Sequence, residues 1–543
     1  MATAVVTPVF FLGNASGHDF QFHLASWLDV AGQWRQGIMY PRWAEWANWG
    51  YGEPRFIFYP PASWLLGAAL GSIVRWQAAP GAYVWLSLVA GGMAMWRLAR
   101  EWLSPREAIA AAIFFAVNPY NLLIVYYRSD FAELLAAAFF PLLMLGTLRV
   151  TRDAWRGVPF LGLVFGAIWL CNAPAAVIAT YSLALLLVVG SALARNIRPL
   201  LAGGAAMTMG FGLAAFYILP AAWEQRWVQI AQAVSDNLRP EQNFIFARGG
   251  DPDFILFNWK VSSLALGMML ISGILAVLAT RRRREFPELW WMLLAVATVS
   301  SFLMFAPSEI FWRFLPKLRF VQFPWRWLDA LSVAFAFFAA AALGRSRKQW
   351  ILWIAILCIL AATATAIAQD AWWDSDDAPT LADWIHSGFG YEGTDEYAPR
   401  GCDRYQLPGV TADSEEPPSL PIPEFSKVDP DSDEIVPAAG MRVHIERWTA
   451  ERRVLSTESA TPVHIALRLV NYPAWEARVD GQQIAIGSRP ETAQMVLAVP
   501  AGAHIVDLSF RRTLDRTIGD AISILSMLAF IAFTLIKRPL THP

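Results

Sequence analysis

The stretch SGHDFQFHLASW near the N-terminus carries residue types suited to chemistry. Asp19 and His23 are four residues apart, so on a helix they share one face. A carboxylate backed by aromatic side chains can act as the general base that deprotonates an acceptor hydroxyl. Two alternatives stay open: Asp19 caps the start of a helix, or His18, Asp19 and His23 bind a metal ion, although nothing completes such a set.

A second candidate is the basic segment LPKLRFVQFPWRW. It contains Lys317, Arg319 and Arg326, and the order of apolar blocks places it on the outer side of a membrane. Basic residues favour the cytoplasmic side, so such a loop indicates a local anionic partner. Arginine binds phosphate oxygens in a bidentate manner. The alternative is contact with lipid headgroups.

The third candidate is YYRSDFAELLA, where Arg128, Asp130 and Glu133 lie at the predicted entry of a helix into the membrane. Charged groups in that position are costly unless they are paired or functional. A structural ion pair between Arg128 and one of the two acids is the alternative to a functional role.

The elements that position these residues are transmembrane helices. Hydrophobic residues make up 56% of the 543-residue chain and charged residues only 16%, whereas soluble domains carry about 25% charged residues. The apolar residues form blocks long enough to cross the hydrocarbon core. With a partial first helix within Ala2 to Leu12, expected to be truncated or to continue upstream, about twelve spans are predicted; the others are 81–97, 107–127, 131–148, 158–171, 173–193, 199–219, 263–280, 287–305, 327–343, 349–367 and 517–536.

Charge gives the predicted orientation. Basic clusters at Arg281 to Arg284, at Arg345, Arg347 and Lys348, and at Lys537 and Arg538 follow apolar blocks directly, which predicts that they are cytoplasmic. The number of membrane crossings must agree with these assigned sides, and this predicts that 62–75 is an interfacial or re-entrant helix and not a span. The net charge of −1 implies no attraction to nucleic acid. Three cysteines in no zinc-binding pattern add little.

The C-terminal third has a different pattern. Residues 1–368 form the predicted transmembrane domain with an outer loop at 13–62, and 369–440 read as an acidic, proline-rich outer connector. Alternating runs over 441–512 predict a small antiparallel β domain on the extracytoplasmic side, before the last helix at 517–536. Asp480-Gly481 and Ala501-Gly502 are predicted hairpin turns.

Several motifs together resemble a known family. GHDFQFHL, YPRW, NWGYGEPRFIFYPP, NPYN with YYRSDFAELLA, and FVQFPWRW look like the bacterial membrane proteins named 6-pyruvoyl-tetrahydropterin-synthase-related. The resemblance covers roughly residues 13 to 345. No soluble pterin-synthase domain or His-triad zinc site is visible in the sequence. More broadly, the layout resembles the GT-C glycosyltransferases, which have many spans and an acidic residue in a long first outer loop.

The resemblance implies a GT-C-like enzyme of the bacterial inner membrane. It would transfer a sugar, with inversion, from a polyprenyl-phosphate donor to an envelope glycan or lipid acceptor on the outer face. Membrane lipids would be its other partners, and a divalent metal is left open as a cofactor. Two rival hypotheses are a lipid or polysaccharide transporter or flippase, and a non-catalytic envelope scaffold.

The resemblance assigns a role to one residue. Asp19 matches the acidic residue of the first loop and is the expected catalytic base. From their charge on the predicted outer side, Arg128, Arg319 and Arg326 are expected to hold the donor phosphate. The supporting site residues predicted from the same outer segments are His18, His23, Arg42, Glu45, Tyr59, Glu133 and Gln322.

Overall fold

The computed structural model describes residues 1–342, 347–410, 417–418, 420, 422–429, 435–436 and 440–536. Within these residues, eight helices are long and apolar enough to cross a membrane. They are Trp76–Ala99, Pro105–Arg128, Phe131–Arg152, Ala154–Cys171, Ala173–Ala194, Pro252–Arg282, Pro324–Ala342 and Leu514–Leu535. The chain is therefore a polytopic helical membrane protein, as its composition predicts.

Two further apolar segments are bent rather than straight. Arg198–Leu213 and Ala215–Trp227 meet at 75°, and Pro287–Leu303 and Ala306–Phe314 meet at 97°. Counting each pair as one span gives ten spans in the described part of the chain, against about twelve predicted. The two predicted spans outside this count fall on Ala2–Leu12 and on Ile354–Gln369, which is part of the longer helix Arg347–Gln369. The short helix Pro61–Ile73 covers the segment 62–75, which was predicted not to span. At 1.5 Å per residue, 13 residues cover about 20 Å, less than the hydrocarbon core.

The N-terminal segment begins with two short helices, Ala2–Val6 and Val9–Leu12, followed by the strand Asn14–Ala15. This strand pairs antiparallel with Trp373–Asp374, which ties the start of the chain to the region after the helix Arg347–Gln369. The helix Phe20–Arg35 follows. The remaining α-helices outside the apolar spans are Arg55–Phe58, Pro240–Asn243 and Asp377–His386.

In the described residues, the C-terminal domain contains two five-stranded antiparallel sheets. In spatial order, one contains Gly487–Ser488, Gln494–Val499, Val463–Val470, Phe425–Val428 and Ile435–Val436. The other contains Met441–Thr449, Arg452–Ser459, Gly502–Phe510, Trp475–Val479 and Gln482–Ile484. Apolar side chains of both sheets, such as Leu467 and Val506, belong to one buried cluster, so the sheets pack as a sandwich.

This domain differs from the sequence-based expectation in two ways. Strands Phe425–Val428 and Ile435–Val436 come from the segment that was expected to be an extended connector. Asp480 and Gly481 do form a hairpin turn with positive φ. The predicted hairpin at Ala501-Gly502 is wrong, because Gln494–Val499 and Gly502–Phe510 belong to different sheets. Gly502, with φ +120°, lies where the chain passes from one sheet to the other.

The first outer loop packs into this β domain. Trp43, Trp49 and Tyr51 are buried in the same cluster as the sandwich core. Arg468, on strand Val463–Val470, donates hydrogen bonds to the carbonyl oxygens of Trp49, Gly388 and Phe389. The loop between Arg35 and the helix Pro61–Ile73 is therefore held between the helical bundle and the sandwich. The predicted cytoplasmic residues Arg345, Lys537 and Arg538 lie outside the described residues.

Candidate active site

Asp19 immediately precedes the helix Phe20–Arg35, in the capping position. Its side chain makes no capping hydrogen bond. The carboxylate instead accepts a hydrogen bond from Arg128, with 2.7 Å between Oδ2 and Nη2. Its side chain is 36% exposed. The capping role, which was one alternative from the sequence, is therefore not what holds this carboxylate.

The chain around Arg128 is irregular. A π-helical turn, Ile124–Arg128, ends at this arginine, and the Ser129 N–H donates to the Ile124 carbonyl oxygen at 2.7 Å. Ser129 then has a left-handed backbone, with φ +53°. Irregular turns of this kind are concentrated at functional sites, where surrounding contacts must stabilise them.

The segment before Asp19 lies directly against this turn. The N–H groups of His18 and Asp19 donate to the carbonyl oxygens of Tyr127 and Arg128. A Cβ atom on Gly17 would lie 2.3 Å from the Tyr127 carbonyl oxygen, so only glycine fits. This close approach positions Asp19 over Arg128.

Beneath Asp19 lies a buried cluster of charges. Arg128 donates to Glu133 at 2.9 Å and to Asp130 at 3.2 Å. Arg326 donates to the same two acids, at 2.8 Å to Glu133 and 3.1 Å to Asp130. Asp130 also caps the helix that contains Glu133, by accepting from the Glu133 N–H. The four side chains are at most 6% exposed.

Arg326 is fixed by a strained turn. Its Nη1 group donates to the Val321 carbonyl oxygen and to Gln322 Oε1, both at 3.0 Å. Gln322 has φ +67° and ψ −61°, and the Phe323 N–H donates to the Val321 carbonyl oxygen at 2.7 Å. These features describe a γ-turn with positive φ, a rare and strained conformation. Gln322 Nε2 donates to the Ala233 carbonyl oxygen, which anchors the turn.

Charge balance separates Asp19 from the rest of the cluster. Burial opposes the charge on Asp130, but Arg128, His23 and Arg326 outweigh it and hold the pKa of this carboxyl well below its ordinary value. Two arginines are thus already matched by Asp130 and Glu133. Asp19 is an additional negative charge, and it is the member of the cluster that solvent reaches.

His23 and Tyr59 complete the wall of the site. His23 is buried, and its Nε2 atom lies 3.6 Å from Asp130 Oδ1. The His23 ring packs edge-on against Tyr59 and Phe131, with centroids 5.8 and 5.4 Å apart. The face shared by Asp19 and His23, expected from their spacing, is therefore the face that meets the charge cluster.

Two buried residues of the site were not singled out from the sequence. Tyr120 donates a hydrogen bond from its hydroxyl to Glu133 Oε1. Asp329, one helical turn after Arg326, is buried, and both of its carboxyl oxygens are without a hydrogen-bond partner among the described residues. The sequence contains a signal for each of them. Tyr120 lies in the motif NPYN, and Asp329 follows Arg326 by three residues, which places both on one helix face.

The remaining predicted site residues have other contacts. Arg319 is half-exposed and lies 3.7 Å from Glu241, so the expectation that it joins Arg128 and Arg326 is not met. Arg42 stacks on the Tyr40 ring at 4.3 Å, and its N–H donates to Glu451 of the β domain. Glu45 accepts from Gln36 at 2.8 Å, and burial raises the pKa of Glu45 to about 7.

His18 packs against the Phe257 ring, with centroids 4.8 Å apart, and burial lowers the pKa of His18. Among the residues that the structure describes, no group of three or more His, Cys, Asp or Glu side chains is arranged to hold a metal ion. The proposed set of His18, Asp19 and His23 is divided accordingly: one histidine faces Phe257, and the other faces Asp130.

An apolar crevice adjoins the site. It lies between the N-terminal short helices and the helix Trp76–Ala99. Phe20 and Phe131, which follow Asp19 and Asp130 in the chain, form part of its wall. The other lining residues are Val5, Val6, Val9, Asn14, Ala15, Pro80, Gly81, Val84, Val125 and Tyr126. The charged site and an apolar surface are therefore neighbours.

One of three comparisons with known proteins matches a family of membrane proteins. No curated protein matches the chain. Among solved structures, ArnT from Cupriavidus metallidurans, crystallised with undecaprenyl phosphate, is similar with a TM-score of 0.42 and 14% sequence identity, over 71% of this chain and 68% of that one. A family model described as a 6-pyruvoyl-tetrahydropterin synthase related domain, membrane protein, matches residues 56–374. That range includes the arginines and buried acids of the cluster and begins after Asp19. The chain belongs to this family of 6-pyruvoyl-tetrahydropterin synthase related membrane proteins.

Proposed function

We propose that the protein is a membrane glycosyltransferase that transfers a sugar from a polyprenyl-phosphate donor to a cell-envelope acceptor. The observation that supports this most is the state of Asp19. It is a half-exposed carboxylate that makes no capping bond and lies on an arginine already neutralised by two buried acids. The resemblance of the sequence to GT-C enzymes gives the same residue the role of the base.

The proposed reaction is a direct displacement. The acceptor hydroxyl gives its proton to the Asp19 carboxylate while its oxygen forms a bond to the anomeric carbon of the donor. The bond between that carbon and the phosphate oxygen breaks, and polyprenyl phosphate leaves with the electron pair. A single displacement inverts the anomeric carbon. His23 and Tyr59 would hold Asp130, and through it Arg128, in place.

The arginines divide between two proposed roles. Arg326 uses its guanidinium on Glu133, Asp130, Val321 and Gln322, so it is proposed to position the buried acids. Arg128 is the proposed phosphate ligand, because its partner Asp19 is exposed and can be exchanged. A phosphate that binds Arg128 has to take the place of Asp19. Donor binding would therefore release the carboxylate to act as the base.

The apolar crevice is the proposed contact surface for the first part of the prenyl chain, since it is too small to enclose the chain. It begins at Phe20 and Phe131, beside the charge cluster, and apolar side chains dominate its lining. An amphipathic donor needs a charged site next to an apolar surface. The acceptor would approach Asp19 from the side that solvent reaches.

One observation favours a second candidate, a proton-linked transporter. Asp329 lies in an apolar span, and its carboxyl group has no hydrogen-bond partner within the part of the chain that the structure describes. Unpaired ionisable groups in such a position are costly and often functional. Arg128, Glu133 and Arg326, in contrast, lie within the last or first turns of their spans. The cluster is thus at the rim of the bundle, which favours an enzyme acting at the membrane surface.

The proposed location is the bacterial inner membrane, with the β domain outside. This is tested by labelling intact cells with a membrane-impermeant maleimide. Cys358 is exposed, whereas Cys171 and Cys402 are buried, so the background is Cys358→Ala. A cysteine introduced by Arg447→Cys in the β domain should be labelled, and one introduced by Arg283→Cys should not. The reverse pattern would invert the proposed orientation.

The function is tested by mass spectrometry of envelope glycans from cells with and without the gene. We expect a sugar to be missing from one envelope component without the gene. Complementation with the wild-type gene should restore it, and Asp19→Asn should not. Restoration by Asp19→Asn at equal protein abundance would remove the main support for a glycosyltransferase.

A further inference from the structure

We propose that the two bent helical arms, Ala215–Trp227 and Ala306–Phe314 with the loop that follows, form a binding site for the headgroup of an anionic phospholipid. The site is separate from the charge cluster around Arg128. Its two cations are Arg226 and Lys317. The inference does not depend on the proposed glycosyl transfer.

The two arms are joined at their tips. Lys317 Nζ donates to Gln225 Oε1 at 3.2 Å, which brings this lysine beside Arg226, the next residue in the chain. Lys317 has a left-handed backbone with φ +61°, which is uncommon for a residue with a side chain. The Tyr181 hydroxyl donates to the Pro316 carbonyl oxygen at 2.8 Å and holds this turn. A fixed, strained turn thus presents the lysine to the other arm.

The charges of these two residues are not compensated by the protein. Neighbouring acids are already paired: Glu309 with Arg313, Glu241 with Arg319 at 3.7 Å, and Glu224 with Arg516 at 2.8 Å. Among the described residues, Arg226 and Lys317 have no carboxylate within ion-pair distance. Each instead lies over aromatic rings, Arg226 at 4.2 Å from the Trp223 centroid and Lys317 at 5.0 Å from that of Phe320.

The surroundings indicate a lipid as the occupant. Trp223, Ile310, Phe311 and Phe314 are exposed on the same arms. Aromatic and basic side chains together are typical of the membrane–water interface. The arms are at the β-domain end of the bundle, because the Trp227 ring packs edge-on against Tyr472 of the β domain, with centroids 5.5 Å apart. Two uncompensated cations beside exposed apolar side chains suit a phosphate headgroup with acyl chains.

The inference is tested by native mass spectrometry of the full chain in a neutral detergent. Phosphatidylglycerol and phosphatidylcholine with the same acyl chains are titrated separately. The double variant Arg226→Gln, Lys317→Gln lacks both proposed phosphate-binding cations. We expect its affinity for phosphatidylglycerol to be at least about fivefold lower, because hydrogen bonds between charged groups are stronger than those between neutral groups. Phosphatidylcholine binding should not change. Arg442→Gln with Arg447→Gln is the matched control, because it removes two exposed charges from the strand Met441–Thr449.

Several results would overturn the inference. One is equal phosphatidylglycerol binding by the wild type and the Arg226/Lys317 double variant. Another is displacement of the bound lipid by inorganic phosphate alone, which would indicate a free anion site. A loss of undecaprenyl phosphate binding with unchanged phosphatidylglycerol binding would assign these cations to the donor instead. If the double variant is unstable, a photo-crosslinking phosphatidylglycerol on the wild type should label peptides within 215–227 or 306–323, and labelling elsewhere only would contradict the site.

Discussion

Two of the regions in which the molecule buries charges are arranged differently. In the bundle, Arg128 and Arg326 bind the carboxylates Asp130 and Glu133 at distances of 2.8 to 3.2 Å. Between the first loop and the β domain, Arg468 is hydrogen-bonded mainly to backbone carbonyl oxygens. The first arrangement concentrates side-chain charge beside an exposed acid, and the second holds chain segments together.

Arg453 shows the second arrangement again, because its Nη1 atom donates to the Arg468 carbonyl oxygen at 3.1 Å. This side chain is buried, and its Nε and Nη2 atoms have no hydrogen-bond partner among the described residues. It stacks on Trp448, with 4.3 Å to the centroid, and burial lowers the pKa of Arg453 to about 10. Burial of charge is therefore not by itself a mark of an active site. The marks of the bundle cluster are the strained turns around it and the exposed carboxylate of Asp19.

The largest effect is expected from Glu133→Gln. Glu133 accepts from both Arg128 and Arg326, so the variant leaves two buried guanidinium groups short of a counter-charge. We expect a loss of about 3–5 kcal/mol of stability, measured by thermal or denaturant unfolding in detergent. Glu309→Gln is the control, because its pair with Arg313 is exposed and should contribute less than about 1 kcal/mol. Equal effects of the two substitutions would show that the cluster is not a cooperative unit.

Arg468→Met should have the next largest effect. It removes the donors to Trp49, Gly388 and Phe389 while keeping the apolar part of the side chain. Unsatisfied buried carbonyl groups should cost about 2–3 kcal/mol, and limited proteolysis should detect an undocked first loop. Binding of undecaprenyl phosphate should be unchanged if this interface is only structural. Arg447→Met, in the other sheet and exposed, is the matched control.

Asp19→Asn should increase the affinity for undecaprenyl phosphate. The variant keeps the size of the side chain and removes the negative charge that competes for Arg128. We expect binding about tenfold tighter, because the loss of one like charge beside a buried site corresponds to about 1.4 kcal/mol. Glu241→Gln, which removes the partner of the exposed Arg319, should leave the affinity unchanged. Weaker binding by Asp19→Asn would exclude the exchange of phosphate for Asp19 on Arg128.

The smallest effect concerns the pH dependence of stability at the loop interface. Burial raises the pKa of Glu45 to about 7 in the folded protein. A carboxyl group whose pKa is higher in the folded than in the unfolded protein favours folding while it is protonated. Its contribution to the free energy of unfolding is therefore complete below about pH 4 and is lost as the pH rises through 7. Between pH 6 and 7 this loss is about 1 kcal/mol. In Glu45→Gln this loss should disappear, so the free energy of unfolding should fall by about 1 kcal/mol less between pH 6 and 7 than in the wild type. An equal fall in both proteins would show that Glu45 does not titrate there.

Much of the membrane architecture follows from the sequence, because apolar blocks of the right length have few alternatives to spanning. The bends at Ala214 and near Met304 could not be predicted, since hydropathy gives length and not direction. The β domain was expected from its alternating pattern. Its order of strands was not, because the pattern does not distinguish a hairpin at Gly502 from a crossing between sheets.

The site was partly predictable. The spacing of Asp19 and His23, and the motifs around Arg128 and Arg326, led to side chains that the fold brings together across long separations in the chain. Arg319 was grouped with them because of its position in the same basic segment, but the γ-turn at Gln322 directs Arg326 inward and leaves Arg319 beside Glu241. Local backbone strain of this kind is set by tertiary contacts. It is not visible in residue types.

The most direct test of the central claim is the turnover of purified Asp19→Asn with its polyprenyl-phosphate sugar donor. The substitution removes basicity and preserves size, so we expect the rate to fall by about 10²–10⁴. The unfolding temperature and donor binding should not fall, since the buried acids Asp130 and Glu133 still neutralise the arginines. Turnover at the wild-type rate would contradict the account, because Asp19 would then be only a surface partner of Arg128.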